Sequence, residues 1–137
     1  MNKNYERKQL DLSPLKTQIT PKDIRMKASL DVNIRQRKAL LTQKQRDFVD
    51  KATEEVVVYT IMRAKQVTAE EWLQFGKYVT LAVIAAIRKD KVLLVKYLKE
   101  LGDFFLKHFL PDFIYSNDVF TICKVGEKVE FDLIKKP

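Results

Sequence analysis

The sequence predicts a mainly α fold: a bundle of about four helices, with an extended basic N-terminal arm over residues 1–19 and a C-terminal β-hairpin over about 118–134. Three observations predict it. Breakers are few, 3 Gly and 4 Pro in 137 residues, which favours long helices over a turn-rich sandwich or barrel. Capping residues of the Thr and Asp type stand ahead of apolar runs at helical spacing. Near the C-terminus the apolar period falls to two. At 46% hydrophobic and 32% charged, the chain has enough apolar surface for a core, and its length suits one folded domain over residues 20–137.

Residues 1–19 show neither period, and Ser13-Pro14 favours non-helical backbone. A first helix opens at Thr20, with Pro21 at its first position and Asp23 near the positive end of the dipole. The stretch that follows scatters Ile24, Met26, Leu30, Val32 and Ile34 around the wheel. Such a helix bridges subunits, wraps a ligand or is broken in its middle. Thr42 caps a second helix over about 43–66. Phe48, Val49, Ala52, Val56, Tyr59 and Met62 form its wide apolar face, with Val57, Val58 and Ile61 on the other side. Apolar on both sides, it is central or also used between subunits.

Thr68-Ala-Glu-Glu71 is a capping box that opens a third helix to about Lys89. Its Tyr78–Ile87 segment is apolar almost all round and reads as core, being too short to span a bilayer. Asp90 caps a fourth helix that ends at Gly102, and DFFLKHFL forms a short helix or a continuation before Pro111. Val119–Val125 and Lys128–Leu133 flank Gly126-Glu127 as the two arms of the hairpin.

The residues that usually carry catalysis are scarce. His108 is the one histidine, expected half-buried near a helix end, and Cys123 is the one cysteine, expected in the core. Ser13, Ser29 and Ser116 lie in no nucleophile setting, and Gly76, Gly102 and Gly126 are isolated. Glu54-Glu55 and Glu70-Glu71 suit helix surfaces and helix starts. No enzyme activity, cofactor, metal site or small-molecule substrate is expected. One cysteine also excludes an intrachain disulfide, which fits a reducing interior. The polar start MNKNYERKQLDLSPLK is no secretory signal, and the basic region lacks the apolar face of a membrane-surface helix.

Charge is the informative signal. Residues 1–46 hold twelve Lys/Arg and four Asp/Glu, a net of +8; residues 47–137 hold fourteen of each, a net of zero. The whole excess lies in the first third, where Lys and Arg neutralise phosphates and release counterions. Arg25, Lys27, Arg35, Arg37, Lys38, Lys44 and Arg46 are the candidate nucleic-acid-binding residues. No zinc finger, RNA-recognition signature or helix-turn-helix supports base readout.

An N-terminal arm ahead of a compact helical bundle resembles the small helical coat proteins of archaeal filamentous, rod-shaped and spindle-shaped viruses. The resemblance is architectural, spans most of the chain and carries over no residues; the hairpin departs from the all-helical pattern. It implies a self-assembling virion protein that coats double-stranded DNA. Two other readings stand beside it. One is a helical accessory subunit of a nucleic-acid machine, similar to the small subunits of CRISPR effector complexes. The other is a protein-binding regulator that lays the basic arm on an acidic protein surface. The expected location is the virion if the protein is viral, and the cytoplasm otherwise.

Overall fold

A computed structural model of the protein describes residues 19–108, 111–117 and 120–134. The expected arm lies outside them, apart from Ile19. The fold is mainly helical with a C-terminal antiparallel sheet. In chain order the described elements are α1 (Pro21–Ser29), α2 (Val32–Lys38), α3 (Gln43–Ile61), α4 (Ala69–Ile87), α5 (Lys91–His108), β1 (Phe113–Ser116), β2 (Phe120–Val125) and β3 (Lys128–Leu133).

The helices start where their local signals stand. The Thr20 hydroxyl accepts the Asp23 amide at 3.0 Å, and the Asp23 carboxylate takes the Thr20 amide at 3.2 Å. Thr42 and Gln45 make the same reciprocal pair at 3.1 and 2.9 Å. Thr68 and Glu71 do so at 3.1 Å in both directions. Asp90 accepts the Leu93 amide at 3.1 Å. Each contact satisfies amides that the first helical turn leaves without partners.

The stretch without a clean face is broken. α1 stops at Ser29, and Asp31 starts α2 by accepting the Ile34 amide at 3.2 Å. Ile24, Ala28 and Ile34 are consequently all fully buried. On one unbroken helix Ile34 would lie about 100° away from the shared direction of the other two.

α4 is the central helix, packed by α1, α3 and α5, with Val79–Ala85 buried throughout. Its contact with α1 is close at Gly76, where an added Cβ would fall inside contact distance of Ile24 Cγ2. Its contact with α3 contains two buried hydroxyls: Thr53 and Thr80 lie 3.3 Å apart, and Thr80 donates to the Gly76 carbonyl at 2.7 Å.

Several expectations are corrected. The second helix ends at Ile61 rather than near 66, because the Thr60 carbonyl takes the Arg63 and Ala64 amides at 2.9 and 2.8 Å and closes the last turn. Met62, placed on its apolar face by the helical wheel, is 77% exposed, whereas Val57 is fully buried. Thr53 and Thr60 occupy inward positions, and Thr60 satisfies its hydroxyl on the Val56 carbonyl at 2.8 Å. The fourth helix does not stop at Gly102 but runs on to His108, so DFFLKH is its continuation rather than a separate short helix. Gly102 is instead the point where helix meets strand: a Cβ there would lie 3.1 Å from the Glu127 carbonyl oxygen.

The hairpin is part of a larger sheet. β1 adds to it in the order β1-β2-β3, pairing Phe113 with Lys124 and Tyr115 with Ile122. Along β2 the inward residues are Phe120, Ile122 and Lys124, so Cys123 is half-exposed and not in the core. Lys124 is 2% exposed and carries its ammonium to Asp112 at 3.2 Å, burying the stem and pairing the head. Asp112 also takes the Gly126 amide at 2.9 Å; that hydrogen bond, then Lys124, holds its carboxyl below the usual range. Phe105 joins bundle to sheet, edge-on to Phe75 at 5.7 Å and to Phe113 at 5.0 Å.

Candidate nucleic-acid interface

The basic residues singled out by charge lie on α1, α2 and the first turns of α3. The structure divides them by what they touch. Arg25 donates through Nε to Glu54 on α3 at 2.7 Å. Lys38 reaches Asp50 at 2.7 Å and the Ser29 hydroxyl at 3.4 Å. Arg46 caps the end of α2, donating to the Leu41 and Lys38 carbonyls at 2.6 and 3.2 Å and to Gln43 at 3.1 Å. These three side chains fasten α1 and α2 onto α3. Capping residues 41 and 38 with Arg46 satisfies carbonyls that a helix end otherwise leaves open.

Arg37 makes one internal bond, Nε to Asn33 at 3.1 Å, one turn back on its own helix. Lys27, Arg35 and Lys44 are exposed and form no ion pair with a described residue. Lys22, in the first turn of α1, is exposed in the same way and was not among the candidates. Its signal was in the sequence, as a lysine at an outward helical position one residue after Pro21. The surface cations offered by α1, α2 and the start of α3 are therefore Lys22, Lys27, Arg35 and Lys44, with Arg37 in part.

A further titratable cluster joins the start of α4, the end of α5 and the loop at Lys65. Glu71, the partner in the α4 capping box, also receives Lys107 Nζ at 2.8 Å and His108 Nε2 at 3.0 Å. His108 Nδ1 lies 3.0 Å from the Lys65 carbonyl oxygen. Both ring nitrogens thus face acceptors, and only the imidazolium donates to both at once. The Lys65 amide returns a bond to the His108 carbonyl at 3.2 Å, next to Gln66, whose φ is +57°. His108 lies near a helix end, as expected, but is buried rather than half-buried, and both its nitrogens are used on the fold.

Donation from Lys107, then the Thr68 amide and then His108 holds the Glu71 carboxyl down at about 2 against an ordinary 4.5. A carboxylate with a depressed folded pKa adds stability above its unfolded pKa and loses it as pH falls. Urea unfolding between pH 4.5 and 2 is therefore expected to show a steeper loss for the native protein than for Glu71→Gln. Parallel curves would mean that the cluster contributes nothing to acid stability.

Among the described residues, no group of three His, Cys, Asp or Glu side chains is arranged to hold a metal ion. No described helix is long and apolar enough to cross a membrane. No protein-family model, curated protein or solved structure matches the chain.

Proposed function

We propose that this is a structural nucleic-acid-binding protein: a virion coat protein that self-assembles and contacts the genome backbone without reading its sequence. The observation that carries the proposal is the segregation of charge. The net +8 lies wholly within residues 1–46, and the remainder is neutral. Lys22 and Lys27 on α1, Arg35 on α2 and Lys44 in the first turn of α3 are exposed and form no ion pair with a described residue. Point charges on a rigid surface suit a polyanion, and repetition over many copies multiplies weak phosphate contacts.

The test is duplex binding by fluorescence anisotropy across a salt series, with electron microscopy of the same samples. The native protein should bind unrelated duplexes alike. Replacing Lys27, Arg35 and Lys44 with glutamine should lower the slope of log K against log salt by about 2–3, near 0.9 per lost phosphate contact. Filaments or particles should form, more readily with DNA. A monomer that ignores DNA at low salt would overturn the reading. Salt-sensitive binding by a small discrete oligomer would favour an accessory subunit, and binding to an acidic protein in place of DNA would favour a regulator.

A further inference from the structure

The sheet stops at β3, and among the described residues no strand pairs with its outer edge. The turn fixes which groups that edge presents. Gly126, with φ +61°, is the first corner of a two-residue turn between Val125 and Lys128. A glycine of that sign at that corner is the II′ pattern, which closes on a mutually hydrogen-bonded pair. Counting in twos from Val125–Lys128, residues 128, 130 and 132 direct their amides and carbonyls to β2. Those of Val129, Phe131 and Leu133 face away from it, along the open edge.

Beside this edge runs an apolar strip of α5. Val95 and Leu98 form one wall of a groove whose other wall is residues 127–132. Val92, one turn earlier, is 81% exposed and Val95 66%. Unpaired backbone next to exposed aliphatic side chains suits an extended segment, which adds its main chain to the edge and lays alternate side chains over the strip.

Charge and reach select the occupant. Glu127 of the turn and Glu130 and Asp132 of the strand outnumber Lys128, and Lys99 of α5 lines the same groove. A second copy's β3 centred on Phe131 would set Glu130 against Asp132, and one centred on Glu130 would set the two Glu130 side chains against each other. The chain itself supplies a basic segment with an apolar alternation, Arg7-Lys8-Gln9-Leu10-Asp11-Leu12. Run antiparallel to β3, it can set Arg7 opposite Asp132, Asp11 opposite Lys128 and Leu10 beside Val129, so that both charge pairs are of opposite sign.

The described chain begins at Ile19, which shares a pocket with Lys65 and Trp72. Lys65 is bonded to His108, so Ile19 lies at the C-terminal end of α5. Gly102, against Glu127, is six residues from that end, about 9 Å of helix. Seven residues from Leu12 to Ile19 can span about 23 Å. A tether of that length gives a local concentration that a separate molecule rarely matches.

We propose that residues 7–12 dock in the same chain as a fourth, antiparallel strand on the outer edge of β3, over the Val92–Leu98 face of α5. The contact goes beyond the coat-protein reading and does not depend on it. Opposed residues 7 and 132 would form a non-hydrogen-bonded pair with Cα atoms about 4.5 Å apart, within disulfide reach.

The experiment is disulfide trapping in the full chain carrying Cys123→Ser. Arg7→Cys with Asp132→Cys, and separately Asp11→Cys with Lys128→Cys, should each lose both introduced thiols under mild oxidation while the chain stays monomeric on a non-reducing gel. Arg7→Cys with Lys128→Cys should keep its thiols and serves as the register control. Retained thiols in both matched pairs would overturn the proposal. So would disulfide-linked dimers, which would assign the edge to the arm of a second copy, and equal closure of the control pair, which would show an unregistered arm. None of these results bears on DNA binding.

Discussion

Phe105→Ala is expected to destabilise the protein by about 3–5 kcal/mol, the usual cost of emptying a fully buried aromatic position. Phe105 has no exposed surface. Its ring meets Phe75 of α4, Phe104 of its own helix and Phe113 of β1, each edge-on, at 5.7, 5.8 and 5.0 Å. Edge-to-face contacts add to the area buried, so one truncation removes both terms. The cavity would lie where three elements converge, and the short β1 cannot fill it without giving up its register on β2. Urea denaturation followed by circular dichroism checks this, with Phe105→Leu retaining most of the stability. A loss below about 1 kcal/mol for the alanine variant would show that the site collapses freely, against the cost assigned to residual cavities.

Gly76→Ala is expected to cost about 1–3 kcal/mol, although alanine is the better helix former by roughly 1 kcal/mol. The sign is decided by Ile24, whose Cγ2 occupies the space a methyl group would need and whose carbonyl oxygen lies 3.4 Å from it. Ile24 is fully buried and β-branched, so it has few rotamers in which to yield. α1 must therefore move off α4, carrying Arg25 away from Glu54 and Lys27 with it. Denaturation of Gly76→Ala, Ile24→Ala and the double variant forms a cycle in which the second change should relieve much of the strain of the first. Additive effects would place the cost of the methyl group elsewhere.

What could be read from the sequence was local. The caps at Thr20, Thr42, Thr68 and Asp90 use residues within three positions of one another and were legible, Thr68-Glu71 as a full capping box; the reciprocal bonds of Asp23 and Gln45 and the Asp31 cap were not read. The buried character of α4 was legible because its apolar run leaves no alternative face. The β2–β3 hairpin was legible from its period and from Gly126. What was missed depends on distant partners. Gly102 carries the same letter whether it ends a helix or admits a strand, and only Glu127 distinguishes the two. β1 is four residues long and finds its role by pairing with β2. The phase of β2 was misjudged because Cys123 is the more apolar residue, whereas Lys124 is carried inside by the pleat and paired through Asp112. Of the seven candidate cations, Arg25, Lys38 and Arg46 proved to be bonded to Glu54, Asp50 and the end of α2. Charge counts cannot separate a fastening cation from a presented one.

The Thr53–Thr80 contact decides something that burial cannot. A helix apolar on nearly every side loses little if it is displaced along its neighbour, since one aliphatic contact replaces another. A slip of one turn, about 5.4 Å, would part the two hydroxyls inside the core. Thr80 would keep its bond to the Gly76 carbonyl, but Thr53 would lose its partner across the joint, and a buried group left unsatisfied costs about 1–3 kcal/mol. The pair thus acts as a locating pin: it adds little to the strength of the α3–α4 joint but excludes its near-degenerate alternatives, leaving the most uniform helix of the bundle with a single seat.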